Sequence, residues 1–196
     1  MQVKLGQIAD IRTGYTIRES LSKISSGEKL LVQMRDFEAV DQDVADKVQT
    51  TNMKVRSSDW MLQEKDLLVK ARGTDFIPVV VKKSFCGAVF THPLLRIRVD
   101  RKFAIPEFIA WILSLKDIQT QLLRLTAGTA LQMLKLDNLK GLELSLPSLA
   151  HQQKVMDLVQ LMEREQKLLN RIKMKRKQLV SFSIEKLLLE DKIIEG

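Results

Sequence analysis

The residues of this chain that could carry chemistry are few and lie far apart. Cys86 is the one cysteine in the sequence, so an internal disulfide is excluded, and a structural zinc site normally needs several Cys or His ligands. His92 and His151 are distant in sequence, so we interpret each as an ordinary core or surface residue. Carboxylates cluster in one polar stretch, at Asp36, Glu38, Asp41 and Asp43. Because no basic catalytic partner stands near them, we interpret them as solvated loop charges.

Motifs that define the common enzyme classes are also missing from the sequence. It has no Walker-type phosphate loop, no G-x-G-x-x-G, no H-E-x-x-H and no G-x-S-x-G. It also lacks the Asn/Asp-Pro-Pro-aromatic tetrapeptide that amino-methylating enzymes use. We therefore expect no catalysis and no bound metal for this chain alone. The formal net charge of +8 and the pI near 9.6 favour binding to an anionic partner, such as nucleic acid or a membrane surface.

Two basic segments are candidates for contact with such a partner. Between residues 94 and 99, apolar residues alternate with Arg96 and Arg98, which predicts a half-exposed strand with basic side chains on one face. The run 171–177 is either a solvated helix face or a stripe that contacts phosphate or docks on a protein. The N-terminus has no apolar signal segment, and no apolar run approaches the roughly 20 residues that span a bilayer. We therefore expect a soluble protein of the cytoplasm.

Short apolar segments separated by turns predict the elements of a mixed domain. We expect a short helix from Leu5 to Ile11, a turn at Gly14 and a mobile loop over the polar residues 19–28. Residues 41–53 are predicted to be loop or edge structure. Strands are predicted at residues 30–34, 66–72, 77–81 and 94–99, since these segments are rich in apolar and β-branched residues. Helices are predicted to start at Ile105–Pro106, near 117, and at 135 or 137.

A junction near residue 147 separates two parts of the chain. The alternating segment 142–146 predicts a strand that Pro147 ends, and a helical pattern then continues without Gly or Pro until Gly196. We therefore divide the chain into a globular domain, residues 1–147, and a long helix, residues 148–196. The predicted fold class is α+β: a globular mixed α/β domain followed by a long C-terminal coiled-coil-forming helix. We expect a compact head on a helical rod.

The long helix carries a heptad-like apolar track. Glu165 and Arg176 interrupt this track at seam positions, which weakens a plain dimeric coiled coil and suits an antiparallel or mixed pairing in which opposite charges meet. A helix of this length buries little surface alone, so we expect it to pack on another helix. The apolar members of the track are Val155, Leu158, Met162, Leu169, Ile172 and Leu179.

Four segments, in order along the chain, resemble parts of the specificity subunits of type I restriction–modification systems. Residues 3–14 (VKLGQIADIRTG) resemble the opening of a target recognition domain. Residues 65–73 (KDLLVKARG) resemble its central Gly-Asp-apolar-apolar strand, with Lys65 in place of the usual Gly. Residues 127–134 (AGTALQML) are similar to the loop and short helix that close the domain. Residues 144–155 (LSLPSLAHQQKV) match the apolar-Pro-x-Leu-x-x-Gln exit into the spacer helix.

The resemblance implies a non-catalytic role in DNA recognition. Such subunits read one part of a split DNA target and position the methyltransferase and endonuclease subunits. The methyltransferase brings S-adenosylmethionine, so no cofactor is expected on this chain. A full-length member has two recognition domains and two long helices that pair antiparallel, whereas this chain has one of each. It is expected to be a half-size subunit that forms a homodimer through its helix, or else a piece of a longer protein. A homodimer would recognise two inverted half-sites.

By the same resemblance, DNA would be contacted by loops and strand ends of the globular domain. Arg72 is the residue expected to bind a guanine, because its planar fork matches O6 and N7. Two alternatives stay open at this point: a helical adaptor that binds other proteins, and a nuclease with an unrecognised carboxylate cluster. The candidate DNA contacts are Arg12, Thr13, Tyr15, Arg35, Lys70, Arg72, Thr74, Lys82, Lys83, Arg96, Arg98 and Thr129.

Overall fold

The computed structural model describes residues 1–17, 25–52, 57–126 and 133–194. The chain divides into two compact units, the first over Met1–Gln153 and the second from Lys154 onward. The strands of the first unit are β1 (Gln2–Lys4), β2 (Ala9–Thr13), β3 (Ser25–Val32), β4 (Thr50–Thr51), β5 (Leu67–Lys70), β6 (Val79–Val80), β7 (Val89–Phe90), β8 (Leu94–Val99) and β9 (Glu143–Ser145). Its helices are α1 (Leu5–Ile8), α2 (Phe37–Asp41), α3 (Pro106–Ser114), α4 (Lys116–Thr126) and α5 (Leu136–Lys140). A long helix, α6 (Leu149–Ile194), begins in the first unit and forms the second unit from Lys154 onward, and the predicted α+β class is confirmed.

The strands form three sheets. The largest has the order β2-β8-β5-β6, and every neighbouring pair in it is antiparallel. The second has the order β4-β3-β7, in which β3 pairs antiparallel with β4 and parallel with β7. The third consists of β1 and β9. The predicted edge character of residues 41–53 is confirmed in part, because β4 is the edge strand of the second sheet.

The two-stranded sheet joins the start of the chain to the segment before the long helix. Val3 of β1 stands opposite Leu144 of β9, and the Leu146 N–H donates to the Met1 carbonyl at 2.8 Å. Leu142, Leu144 and Leu146 are buried, while the residues between them are exposed, as the period of two in a strand requires. The predicted strand before Pro147 is therefore confirmed.

A cluster of buried apolar side chains connects the two larger sheets. Val32 and Phe90 reach it from the three-stranded sheet, and Leu68 and Leu94 reach it from the four-stranded sheet, with Phe37 of α2 beside them. Helix α3 contacts β6 and β8 of the four-stranded sheet. The core therefore lies between elements distant in sequence, and the ends of the strands stand in fixed relation to one another.

The three helices predicted between residue 105 and the two-stranded sheet are confirmed. Helix α3 has Ile105 at its N-cap and Pro106 in the first turn, where the missing N–H of proline costs no hydrogen bond. Helix α4 follows directly, and α5 begins after Lys135 at its N-cap.

Gln152 explains why a glutamine belongs at the start of the long helix. Its side chain is buried, and its Oε1 accepts the Ile105 N–H at 2.9 Å. Its Nε2 donates to the Pro147 carbonyl at 2.9 Å and to the Phe103 carbonyl at 3.1 Å. One side chain therefore satisfies three backbone groups, two before the start of α3 and one before the start of α6, where backbone groups need such partners.

Two predictions near the N-terminus are wrong in their boundaries. The helix expected from Leu5 to Ile11 ends at Ile8, and residues 9–13 form β2. Ile11 stands opposite Ile97 in the ladder with β8, so pairing with a distant strand overrides the local helical pattern. The loop expected over residues 19–28 also ends early, because β3 begins at Ser25; residues 18–24 lie outside the described part. The strand expected over 30–34 ends at Val32.

Lys65 occupies the position where the family resemblance places a glycine. Its φ angle is +70°, in the left-handed region that favours glycine. The Lys65 ammonium pairs with Glu107 at 3.0 Å, and its backbone N–H donates to the Val81 carbonyl at 2.9 Å. The turn before β5 therefore has the conformation that a glycine would provide, although a lysine forms it.

Most large apolar side chains of the long helix are exposed over the side chains that the structure describes, whereas Val155 and Val159 are half-buried and Met156 is buried. Leu158, Met162, Leu169, Ile172 and Leu179 are each more than half exposed. Glycine and proline are absent from the helix, which accounts for its uninterrupted length. No helix in the described part of the chain is both long and apolar enough to cross a membrane.

Candidate functional site

Several strands of the first unit end at one common edge. In the four-stranded sheet, Thr13 at the end of β2 stands opposite Leu95 of β8, and Lys70 at the end of β5 stands opposite Leu94. The parallel pair β3 and β7 ends beside them, because the Tyr15 N–H donates to the Phe90 carbonyl at 3.0 Å. We call this the loop edge; it comprises residues 13–17, 33–36, 70–78 and 91–93.

Backbone hydrogen bonds hold the segments of the loop edge together. The His92 N–H donates to the Tyr15 carbonyl at 3.1 Å, and the Ala71 N–H donates to the Pro93 carbonyl at 2.8 Å. Gly14 permits the closest approach, since a Cβ atom there would lie 2.2 Å from the Thr91 carbonyl carbon. Gly14 therefore matters for close packing of two loops, which is more specific than the turn predicted from the sequence.

An open groove of about 400 Å³ lies on the loop edge. Arg35 and His92 contribute polar groups to its lining, and the ring of Tyr15 packs edge-on against Trp60 at 5.3 Å between ring centroids. This aromatic contact orients Tyr15 in a partly exposed position. The groove is lined by Thr16, Ile17, Gln33, Met34, Arg35, Thr91, His92 and Pro93.

Three predicted basic residues lie at the loop edge, where Arg35 and Arg72 are exposed and Lys70 is half-buried. The Arg35 guanidinium donates to the Gln49 side chain at 2.9 Å and lies 3.8 Å from the Asp36 carboxylate. The Lys70 ammonium lies 4.7 Å from the centroid of the Phe37 ring, a cation–π contact that orients it without neutralising it. Arg72 is exposed, and no described carboxylate forms an ion pair with it. Its charge is therefore available to an anionic ligand.

The loop that carries Arg72 and Thr74 is fixed by a residue that sequence reasoning missed. Gln119 of α4 accepts the Phe76 N–H through Oε1 at 2.8 Å and donates through Nε2 to the Leu113 carbonyl at 2.6 Å. Phe76 itself is buried. Gln119 thus ties the loop to the corner between α3 and α4. No local pattern signals this contact, because it spans 43 residues.

A ladder of ion pairs crosses one face of the four-stranded sheet. Asp10 of β2 pairs with Arg12 on its own strand and with Arg96 on β8. Arg98 donates to Asp66 from both Nε and Nη2, each at 2.8 Å. Arg12 also lies 3.7 Å from Asp59. Each arginine of the ladder thus has an aspartate partner within the chain.

The ladder corrects the prediction of a half-exposed basic strand. Arg96 is completely buried, so it has no surface with which to contact DNA. Burial, followed by repulsion from Arg98, lowers the pKa of Arg96. Nε and Nη1 of Arg96 have no hydrogen-bond partner among the described residues. The predicted alternation between apolar and basic residues is present, but both basic side chains pair with aspartates, and only Arg98 keeps partial exposure to solvent.

Arg12 differs from the other two arginines of the ladder because its side chain is about half exposed. The hydrogen bond and the charge of Asp10 raise the pKa of Arg12, and Asp59 adds to this. Arg12 therefore keeps its positive charge while two carboxylates partly neutralise it. It stands next to the loop edge, where Thr13 is exposed.

The remaining candidates do not lie at the loop edge. Lys82 and Lys83 are exposed, but they follow β6 at the opposite edge of its sheet, beyond the hydrogen bond from the Val81 N–H to the Asp66 carbonyl. Thr129 lies outside the described residues. The structure therefore brings together Thr13, Tyr15, Arg35, Lys70, Arg72 and Thr74, and it separates Lys82 and Lys83 from them.

The acidic stretch between residues 36 and 43 does not form a metal-binding arrangement in the described structure. No group of three or more His, Cys, Asp or Glu side chains is placed to hold a metal ion among the described residues. Asp36 instead accepts the Gln33 N–H at 2.9 Å, and Asp43 accepts the Ser84 hydroxyl. Cys86 is exposed. These carboxylates therefore serve local turns and loop contacts.

Comparison with known proteins identifies the family of this fold. The profile of the type I restriction modification DNA specificity domain matches residues 1–174. A comparison with curated proteins gave no match. Because the profile covers most of the sequence, the chain belongs to the family of type I restriction modification DNA specificity domains.

Solved structures show the same fold at low sequence identity. The HsdS subunit from Thermoanaerobacter tengcongensis matches with a TM-score of 0.64 and 18% identity over 91% of this chain and 45% of that one. A chain from a type I R-M system, solved in work on complex assembly and conformational transition, matches with a TM-score of 0.64 and 17% identity. The match covers 87% of this chain and 40% of that one. The S subunit from M. genitalium matches with a TM-score of 0.55 and 15% identity, over 90% of this chain and 42% of that one. The chain thus spans less than half the length of these solved proteins.

Proposed function

We propose that this chain is a non-catalytic DNA-recognition subunit of a type I restriction–modification complex and binds one half-site of a bipartite target. The observation that carries the proposal is the loop edge. There, the exposed Arg35 and Arg72 and the half-buried Lys70 supply positive charges beside a partly exposed Tyr15 and an exposed Thr74, on segments held together by backbone hydrogen bonds. Membership of the DNA specificity domain family supports this assignment. Residues 1–147 act as the recognition domain, and residues 148–196 act as the spacer and pairing helix.

The division of labour at the loop edge follows from the chemistry of DNA. Lysine suits phosphate as a point charge, whereas arginine can donate two parallel hydrogen bonds to one base. Lys70 is therefore assigned to the phosphate backbone and Arg72 to a base edge. Arg35 is assigned to phosphate as well, because its guanidinium already donates to Gln49 and lies near Asp36. Arg96 and Arg98 are assigned to the internal ion-pair ladder. Thr13 belongs to the loop edge, and Arg12 lies next to it and extends its surface.

The proposal extends to partners. Methyltransferase subunits would dock on the DNA-bound chain and supply both S-adenosylmethionine and the methyl-transfer chemistry, and the endonuclease would likewise be a separate subunit. The complex would act in the cytoplasm, where its DNA lies. A second copy of this chain would provide the second recognition domain through the long helix, so that the two half-sites form an inverted repeat.

The salt dependence of binding separates DNA recognition from the adaptor alternative. We expect the affinity for duplex DNA to fall steeply as salt rises, because bound phosphates release condensed cations, and the logarithmic slope should correspond to several phosphate contacts. Fluorescence anisotropy with a labelled duplex measures this slope. Affinity that is absent at low salt, with or without the methyltransferase, would favour the adaptor. Cleavage of plasmid by the chain alone with Mg²⁺ would favour the nuclease.

Gln119 gives a prediction about how the loop edge is positioned. Changing Gln119 to Leu removes the acceptor of the buried Phe76 N–H, so the loop that carries Arg72 should lose its fixed position. We expect roughly a 5-fold or greater loss of specific DNA affinity, the equivalent of one unsatisfied buried donor, with little change for unrelated DNA. Gln119→Glu retains the acceptor and should lose less affinity.

Gln121 of the same helix provides the matched control, because it is exposed. Gln121→Leu should leave specific affinity unchanged. Competition binding with target and scrambled duplexes measures the ratio of specific to non-specific DNA affinity. Thermal unfolding reports any loss of stability separately. Equal losses for target and scrambled DNA in Gln119→Leu would show that the residue has a general structural role only.

A further inference from the structure

Helix α6 carries an apolar face that nothing within its own unit covers. Leu158, Met162, Leu169, Ile172 and Leu179 have relative exposures between 51% and 67%. Exposure of so many large apolar side chains along one helix is typical of a surface that another helix covers. The charges on the same face indicate which partner fits.

The positions of this face keep a continuous heptad spacing, although two of them carry charged residues. Alternating steps of three and four residues connect its positions, with Glu165 and Arg176 filling the places where no apolar residue stands. In heptad notation Met162, Leu169 and Arg176 are a positions, and Leu158, Glu165, Ile172 and Leu179 are d positions. Each of the two charged residues therefore projects toward whatever helix packs on this face.

We propose that a second copy of this chain packs antiparallel on α6, with the two-fold axis between Asn170 and Arg171. In this register two residues from different copies face each other when one precedes the axis and the other follows it by the same number of positions. Glu165 then faces Arg176 of the second copy, and the symmetry repeats this ion pair. The inference deepens the proposed pairing of two copies, and its charge pattern comes from this chain alone.

The other apolar positions between the axis and Met162 fit the same register, and Leu158 beyond them faces Ser183 of the second copy. Met162 faces Leu179 of the second copy and Leu169 faces Ile172, so every a position meets a d position, as in antiparallel coiled coils. The flanking positions agree as well: Leu161 comes beside Phe182 of the second copy. All of these apolar side chains are exposed in the single chain. The register therefore buries apolar side chains on both sides of the two ion pairs.

Other arrangements leave the charges without partners. A parallel pair would place Glu165 against Glu165 and Arg176 against Arg176. Sliding the antiparallel pair by one heptad in one direction places Arg176 against Leu158, and sliding it in the other direction places Arg176 against Ile172. Each alternative buries a charge against a like charge or an apolar group, which is costly. Charge complementarity thus selects one register.

Charge reversal tests the ion pair in the full-length chain. Glu165→Arg or Arg176→Glu alone should raise the dissociation constant of the dimer by roughly 100-fold, because two like-charge contacts replace two attractive ones. The double variant E165R/R176E should recover most of the affinity. Sedimentation velocity measures the constants. The matched controls are Glu163→Arg and Lys177→Glu, which make the same charge changes at positions outside the seam. Both should leave the dissociation constant of the dimer unchanged.

Distances between spin labels test the register itself. In a Cys86→Ser background, a label is attached to a cysteine at Gln160 or, separately, at Ser181; both are outer f positions. Gln160 of one copy lies level with Ser181 of the other, so either label should report the same axial separation, about 31 Å at 1.5 Å per residue. A slipped antiparallel pair would give about 21 Å for one label and 42 Å for the other. A parallel pair would give two short distances.

The results expected are a dimer, recovery in the double variant and two equal long distances. A monomeric full-length chain, single variants that match their controls, or unequal or short distances would overturn the inference. Neither experiment contains DNA. Failure here therefore leaves recognition by the loop edge standing, and failure of the DNA-binding tests leaves the helix register standing.

Discussion

Replacing Arg72 by Ala is expected to weaken specific DNA binding by about 1–3 kcal/mol, which corresponds to roughly a 5- to 150-fold rise in Kd. Arg72 is exposed at the loop edge, and no described carboxylate competes for its guanidinium. A bidentate contact to guanine would be lost completely, because alanine supplies no donor. The effect should be confined to the target sequence, with discrimination relaxed at one base pair.

Arg101→Ala is the matched control for Arg72→Ala. Arg101 is also exposed, but it follows β8 at the opposite edge of the four-stranded sheet, so its removal changes the net charge equally without touching the loop edge. Anisotropy titrations at one fixed salt concentration should show a large effect for Arg72 and a small one for Arg101. Equal affinities of Arg72→Ala and the unmodified chain, with the same methylation, would contradict the assignment of Arg72.

Replacing Leu169 by Asp should abolish the proposed pairing of two copies and leave a monomer. Leu169 lies on the apolar face of α6 and is about half exposed in the single chain, so the substitution leaves the fold of the globular unit intact. In the pair it would bury a carboxylate against an apolar layer twice, at a cost of several kcal/mol. Ile172→Asp should act in the same way, because Ile172 forms the same layer from the other copy.

Met174→Asp controls for the effect of a new charge on this helix. Met174 is similarly exposed, but it lies outside the seam and should tolerate aspartate. Light scattering gives the mass of each variant, and circular dichroism verifies that helix content is retained. Native mass for Leu169→Asp would contradict pairing through this face. Loss of mass in Met174→Asp as well would indicate a partner surface broader than the seam.

The sequence was sufficient to predict the elements whose patterns are local. The strand before Pro147, the helix that starts at Pro106 and the long helix each follow from periodicity and from proline placement within a dozen residues. Helix α1 shows the limit of that approach. Residues 9–11 have a helical pattern, but their pairing with β8 makes them a strand, and no local window contains that partner.

The burial of Arg96 shows the same limit for the site. An alternating strand predicts that one face differs from the other, but it does not say whether the polar face meets water or an ion-pair partner. The partner of Arg96 is Asp10, 86 residues earlier in the chain. Arg72 and Lys82 are near in sequence, but they lie at opposite ends of the strands of one sheet. Arg72 follows β5, and Lys82 follows β6, which runs antiparallel to β5. Only the topology distinguishes these two basic residues.

Mapping adenine methylation in cells that express this chain together with its methyltransferase subunit tests the central claim most directly. We predict one new methylated motif that is split by a spacer and consists of two inverted half-sites, since two identical recognition domains related by a two-fold axis would bind it. The motif should vanish with Arg72→Ala or change at one position. An asymmetric motif would contradict the homodimer, and no new methylation from a complex shown to assemble would contradict DNA recognition by this chain.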